Sequence, residues 1–260
     1  MSPQTRRVAI EQMLESRGEV DLAPLAAEFS VSEMTIRRDL EVLEGRGVAR
    51  RVRGGAISVR GRGFEPAFEL RAQHAARGKT AIAREVVRLF NSGDTIVFDG
   101  GSTVLQVARE ARGRSLGLTV VTPSLPVALE LANEPNTRVL LTGGLVRPGE
   151  LSLIGSEAEQ SLRRLNCDIF VLGVAGIDAE RGLTDSNREE GLVKMAAITS
   201  SRRVVAAVDQ SKFGNVCFMS VAAFSEIDVL VTDADRTNPV CAAAIRAGCE
   251  FVHAKPLERS

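Results

Sequence analysis

The run VSEMTIRRDLEVLEGRG, Val31 to Gly47, decides how this chain is read. Ser32 is a good helix N-cap, because its hydroxyl can accept from a backbone N–H that the helix leaves unpaired. Val31 before it and Ile36 at the fourth helical position predict a hydrophobic staple. Ile36, Leu40 and Leu43 recur at helical spacing and form one buried stripe. Burying that stripe turns Thr35, Arg37 and Arg38 outward near the helix start. Upstream, Ile10, Met13 and Leu14 predict a first helix closed at Arg17-Gly18, with Gly18 as the C′ residue. Asp21 predicts the cap of a second helix, whose buried side carries Leu22, Leu25, Ala26 and Phe29. Such an arrangement is a helix-turn-helix, whose second helix points its N-terminal part into the DNA major groove. Arginine there bonds guanine O6 and N7 or grips phosphate, and both roles stay open for Arg37 and Arg38.

After Gly47 the pattern changes to two short strands, Val48 to Arg53 and Ala56 to Val59, joined at Gly54-Gly55 as a tight hairpin. That hairpin would be the wing of a winged helix. From Gly45 to Phe64 there is no acidic residue, while Arg46, Arg50, Arg51, Arg53, Arg60 and Arg62 all fall there. An acid-free arginine ribbon suits backbone phosphates or the minor groove. The candidate DNA contacts are therefore Ser32, Thr35, Arg37, Arg38, Arg50, Arg51 and Arg53, with Gly54 and Gly55 shaping the wing. A single arginine on an exposed helix is more often solvated than functional, so the weight lies in the combination.

Composition narrows the rest. The 260 residues hold 33 basic and 33 acidic side chains, so net charge points to no partner and only local distribution does. Cys167, Cys217, Cys241 and Cys249 lack CxxC spacing, and His74 and His253 are isolated. No metal site is expected, and the cysteines read as small core residues of a reducing compartment. Arg6 and Arg7 are followed by Glu11 and Glu15 with no apolar run between, so no signal peptide is expected. No apolar stretch is long enough to span a membrane, and a cytoplasmic location is expected.

Arg60 to Pro66 is a glycine-rich break. The expected organisation is a winged helix over 1–58, a linker over 59–76 and a larger domain over 77–260. Beyond Arg77, short runs rich in Val, Ile and Leu alternate with helical stretches: Thr95 to Phe98, Leu118 to Thr122, Arg138 to Thr142, Ile169 to Val174, Val204 to Val208 and Val229 to Thr232. These predict an α/β domain with a mainly parallel sheet, covered by helices on both faces. Ligands of such sheets bind at the carboxyl ends of the strands. Asp99-Gly100-Gly101-Ser102-Thr103 ends the first strand and opens a helix, a composition suited to cradling phosphate. Small residues, hydroxyls, carboxylates and lysine also end the later strands, which suits a polyhydroxylated anion. Lys194, four residues after Glu190, could instead be its surface helix partner.

The run VSEMTIRRDLEVLEGRG followed by RRVRGGA resembles the DNA-binding signature of DeoR-type transcriptional regulators. The segments KTAIA, FDGGST, VTPS, LTGG, GVAGID and DQSKFG extend that resemblance over nearly the whole chain. It implies a winged helix fused to a sensor with a ribose-5-phosphate isomerase-like fold. The implied function is a repressor of carbohydrate-metabolism genes that binds double-stranded operator DNA and is relieved by a phosphorylated sugar. No cofactor is implied beyond that effector, and a homodimer or homotetramer is expected. Carry-over gives Asp99, Gly101, Ser102, Thr103, Thr142, Gly143, Gly144, Asp209 and Lys212 as effector-site candidates, with Lys79 and Lys194 as weaker ones. Val104 and Pro123 depart from the family pattern and remove one hydroxyl and one side-chain amide. The alternative is a sugar-phosphate isomerase or deaminase with an N-terminal appendage, in which Asp178, Asp185 or Glu190 with Lys194 would supply acid–base chemistry.

Overall fold

The computed structural model describes residues 1–17, 19–46, 48–58, 63, 65 and 68–255. Gly18, Gly47, Val59, Arg60, Gly61, Arg62, Phe64 and Pro66 lie outside the described residues, as does the side chain of Arg50. The chain divides into two compact units, Met1–Phe64 and Glu65–Ser260.

Unit 1 is built from α1 (Pro3–Arg17), β1 (Glu19–Asp21), α2 (Leu22–Glu28), α3 (Glu33–Gly45), β2 (Ala49–Val52) and β3 (Gly55–Ser58). Ile10, Leu14, Leu25, Ile36, Leu40 and Leu43 form its core, with Val31 packed against it. Ser32 caps α3, accepting from the Thr35 N–H at 3.2 Å. Asp21 holds the N-cap position of α2 without a side-chain capping bond. The sheet is three-stranded in the order β1-β3-β2 and antiparallel. The sequence reading passes over β1, which is only three residues long. It also places the turn one residue late. Val52 pairs with Gly55, so the turn residues are Arg53 and Gly54, and Gly54 has φ +95°. Gly55 is a strand residue. A Cβ there would lie 2.0 Å from the Val20 carbonyl oxygen, so the close approach of β1 demands glycine.

Unit 2 contains α4 (Phe68–Gln73), α5 (Ala76–Val87), β4 (Thr95–Phe98), α6 (Ser102–Ala111), β5 (Thr119–Thr122), α7 (Leu125–Leu131), β6 (Arg138–Leu141), β7 (Leu145–Arg147) and β8 (Ser152–Ile154). There follow α8 (Ser156–Arg163), β9 (Cys167–Leu172), β10 (Gly176–Asp178), β11 (Gly182–Asp185), α9 (Arg188–Thr199), β12 (Ser201–Ala207), β13 (Met219–Ala222), β14 (Val229–Thr232), α10 (Pro239–Arg246) and β15 (Glu250–His253). The main sheet has seven strands in the order β15-β14-β12-β9-β4-β5-β6, all parallel. Strand side chains alternate between two cores. Ile96, Phe98, Ile169 and Val171 face α5, α6 and α7. Val97, Phe170 and Leu172 face α8, α9 and α10. Six of the seven strands follow from their apolar runs. The seventh, β15, reads Glu-Phe-Val-His and carries no such run. Two small sheets, β7-β8 and β10-β11-β13, flank the carboxyl side.

From β4 the chain builds outward through β5 to β6, then returns to β9 and builds the other way. The strand order therefore reverses between β4 and β9, and a parallel sheet opens a crevice at such a point.

Candidate operator interface and effector cleft

In unit 1, Arg37 and Arg38 are exposed on α3, and Thr35 is half-buried at its start. Burial of Ile36 and Leu40 on the opposite side fixes this orientation. Asp39, next to the arginine pair, is buried and accepts from Arg6 Nε at 2.6 Å and Arg7 Nε at 2.8 Å. This clamp ties α3 to α1. Its signal in the sequence is a lone acid inside an apolar stripe. Arg53 is exposed in the wing turn. Arg51 is also exposed, but its guanidinium is engaged by Glu41 and Glu44 of α3, each at 2.7 Å. The Arg51 backbone N–H, which donates to Glu44 at 2.9 Å, and then its guanidinium hold Glu44 below the usual carboxylate range. Arg51 thus braces the wing against α3.

In unit 2 a cleft of about 580 Å³, its open mouth included, lies at the switch point. Asp99 follows β4 and Gly173 follows β9, and the Gly173 N–H donates to Asp99 Oδ2 at 3.0 Å. Gly101, with φ +92°, is the N-cap of α6. The first-turn N–H groups of α6 have no intrahelical acceptor and carry the positive end of the helix dipole. Gly101, Ser102 and Thr103 all line the cleft, as do Val104 and Pro123.

Five carboxylates and three cations line the cleft, so the partners of each cation decide what an anion can use. Lys194 is not a surface partner of Glu190. It is buried, donates to Asp99 and to the Gly173 carbonyl at 3.0 Å, and lies 3.5 Å from Asp185. Burial alone would lower its pKa, but Asp99 and Asp185 hold it above the usual lysine value. Glu190 binds Arg147 and Ser152 instead. Arg71 pairs with Glu65 at 2.9 Å and with Glu150. The Lys212 ammonium has no hydrogen-bond or ion-pair partner among the described residues. It sits on a 3-10 turn, Gln210–Lys212, capped by Asp209, whose Oδ1 accepts from the Ser211 N–H at 3.2 Å. One ammonium is therefore available to a ligand.

Other expected residues lie elsewhere. Asp209 is buried behind the Lys212 turn, with Oδ2 unpartnered, and does not line the cleft. Lys79 is buried under α4, where Nζ donates to the carbonyls of Arg71 and, at 2.8 Å, of His74. Thr142, Gly143 and Gly144 also stand off the cleft. A Cβ on Gly144 would lie 2.5 Å from the Ile154 carbonyl oxygen, so this glycine serves the packing of the β7–β8 hairpin. Asp178 accepts from the Glu180 and Arg181 N–H groups and shapes a turn.

The sequence reading misses Glu65 and Arg71, which fall in the expected linker yet line the cleft, and Glu150 and Ser152 on the β7–β8 hairpin. Only long-range topology brings them there. Glu65, Asp185 and Glu190 offer oxygens within 4.8 Å of one another, a spacing that could hold a metal ion. Each of the three already has a cationic partner, Arg71, Lys194 and Arg147 in turn.

Two family models match the chain. A DeoR-like helix-turn-helix domain matches residues 6–61 and a DeoR C terminal sensor domain matches residues 74–234. The chain is 36% identical over 235 residues to the HTH-type transcriptional regulator GlpR of Haloferax volcanii, covering 90% of this chain and 91% of that one. It is 32% identical over 234 residues to the glycerol-3-phosphate regulon repressor of Escherichia coli (strain K12), covering 90% and 92%. Ribose 5-phosphate isomerase A of Methanocaldococcus jannaschii is a looser likeness, at 17% identity and TM-score 0.39 over about half of each chain, 52% and 53%. These domains are those of transcriptional regulators, not enzymes, and the chain belongs to the DeoR family of DNA-binding transcriptional regulators.

Proposed function

We propose that this regulator is a cytoplasmic repressor of carbohydrate genes, that α3 and the wing hold operator DNA, and that a phosphorylated sugar in the cleft releases it. Arg37 and Arg38 meet the major groove, and Arg53 meets the backbone. The effector's phosphate lies between the α6 N-terminus and Lys212, and its hydroxyls face Glu65, Asp185 and Glu190. The observation that carries this is the division of labour among the cleft cations: two are committed to carboxylates, and Lys212 lines the same cleft as a helix N-terminus. Glu65 is the first residue of unit 2, directly after the DNA-reading unit in sequence. A ligand that contacts Glu65 and Arg71 acts on the first stretch of unit 2, and release requires different affinities for the DNA-bound and free conformers. Paired half-sites call for a dimer or tetramer.

The test is a gel shift on DNA flanking the chain's own gene, with a panel of sugar phosphates and the matching free sugars. The expected result is a specific complex dissolved by one phosphorylated compound and not by its free sugar. Retention of the complex across the whole panel, or release by free sugar alone, would overturn the phosphate assignment.

A further inference from the structure

The α3 helix turns a methionine outward at the centre of its exposed face. A helix advances about 100° per residue, so Met34 lies about 160° around the axis from Ile36, nearly opposite the middle of the buried side. Arg37 and Arg38 flank it, at roughly 100° and 200° on the same scale. Met34 is 59% exposed. The exposed side chains of α3 are Glu33, Met34, Arg37, Arg38 and Glu41, and all but Met34 are charged. The ion pairs that reach α3 go through Asp39, Glu41 and Glu44, and among the described residues they leave both flanking arginines untouched. Other groups on this face are already engaged. Thr35 is half-buried, and its hydroxyl lies 3.0 Å from that of Ser32, inside the cap. Glu41 continues the row of Met34 two turns on and is bound to Arg51 at 2.7 Å. The free part of the face is therefore its N-terminal end, an apolar side chain between two cations.

On the reading that α3 holds operator DNA, we propose that Met34 is a specificity-determining residue. Its thioether seats against the C5 methyl of a thymine in the major groove, while Arg37 and Arg38 take guanine edges or phosphates on either side. The chemistry of the groove selects that partner. Base pairs present hydrogen-bond donors and acceptors there, and thymine adds a methyl. A methionine laid over donors and acceptors strips their water and returns no bond. Laid over a methyl, it removes apolar surface of both partners from water. Its unbranched, polarisable chain adapts to that shape. The arginines draw the helix onto the duplex by charge, which carries little sequence information where it meets phosphate. Met34 supplies discrimination at a base pair that the arginines do not read.

The test uses the full chain and a duplex that it enriches from a randomised pool. Each thymine is replaced in turn by uracil, which removes only the C5 methyl. Fluorescence anisotropy gives the affinities of wild type and Met34→Ala. Alanine suits an exposed helical position, so the variant should keep its urea midpoint. Wild type should lose about three- to tenfold in affinity at one thymine, roughly the worth of a buried methyl. Met34→Ala should bind the thymine duplex more weakly by a similar factor and no longer distinguish thymine from uracil at that position. A wild type whose specific complex ignores every methyl overturns the proposal. So does a Met34→Ala protein that keeps the full uracil penalty at every position, because the penalty then belongs to another residue or to DNA shape. A wild type that forms no sequence-specific complex overturns the operator reading, and the role of Met34 with it, so the two failures are distinct.

Discussion

Replacing Lys194 with methionine isolates the electrostatic centre of unit 2. Methionine keeps the apolar stem and removes the charge. Asp99 and Asp185, both buried, then face each other with no cation between them. Removing one partner of a buried ion pair destabilises by about 3–5 kcal/mol. At ~2–4 °C per kcal/mol for a unit of this size, Tm falls by roughly 6–20 °C. The sign of the pH dependence follows from the two carboxyls. Burial pushes both up, and Lys194 opposes that push. Without Lys194 their folded pKa values lie well above the unfolded ones, so in that window the folded state binds more protons. The variant's stability is then greatest at low pH and is lost as pH rises through the folded pKa values. Its deficit against wild type is largest near pH 7.5 and shrinks toward pH 5. Urea unfolding of both proteins at the two pH values measures it, and the double variant D99N/K194M should recover part of the loss. A deficit under about 1 kcal/mol, or one equal at both pH values, would refute the reasoning.

Lys212→Ala leaves no buried group unpaired, so stability and effector-free DNA affinity should hold. The effector concentration for half-release should rise about 10- to 100-fold, the worth of one charged hydrogen bond, and an unshifted release curve would contradict this. Arg38→Ala should weaken operator binding by ~1–3 kcal/mol. Arg51→Ala should weaken it less, because Glu41 and Glu44 already occupy that guanidinium; salt-matched titrations that rank them the other way would be contrary. Gly55→Ala forces β1 away from β3 and should destabilise unit 1 by about 1–3 kcal/mol, and an unchanged urea midpoint would count against it. Burial lowers the Lys79 pKa to about 8. Between there and the ordinary lysine value the unfolded chain binds more protons, so wild-type stability should rise with pH relative to Lys79→Met. A pH-independent difference between the two proteins from pH 7.5 to 10 would rule this out.

What the sequence displays is what repeats locally. The α3 stripe, its Ser32 cap and six strands of the parallel sheet follow from spacing and apolar runs, and so does Asp99-Gly100-Gly101 at the end of β4. Pairings made across long stretches of chain are not displayed. Glu65 and Arg71 look like linker residues because nothing near them reveals Glu150, and Lys194 looks like the partner of Glu190 because helix spacing is the only geometry a sequence offers. Lys79 and Lys212 are both lysines beside glycine-containing segments. Burial alone separates them, one bonded to backbone carbonyls and one facing the cleft. Glycine is ambiguous in the same way: Gly54 serves a turn and Gly55 a close strand contact.

The most direct measurement of the central claim is fluorescence anisotropy of a labelled operator duplex bound to the full chain, while a phosphorylated sugar is titrated in. The expected result is a saturable fall to the value of free DNA, displaced to higher concentration in Lys212→Ala. Anisotropy that stays flat while calorimetry on the same protein shows the sugar phosphate binding would contradict the account, because the cleft would then be uncoupled from DNA.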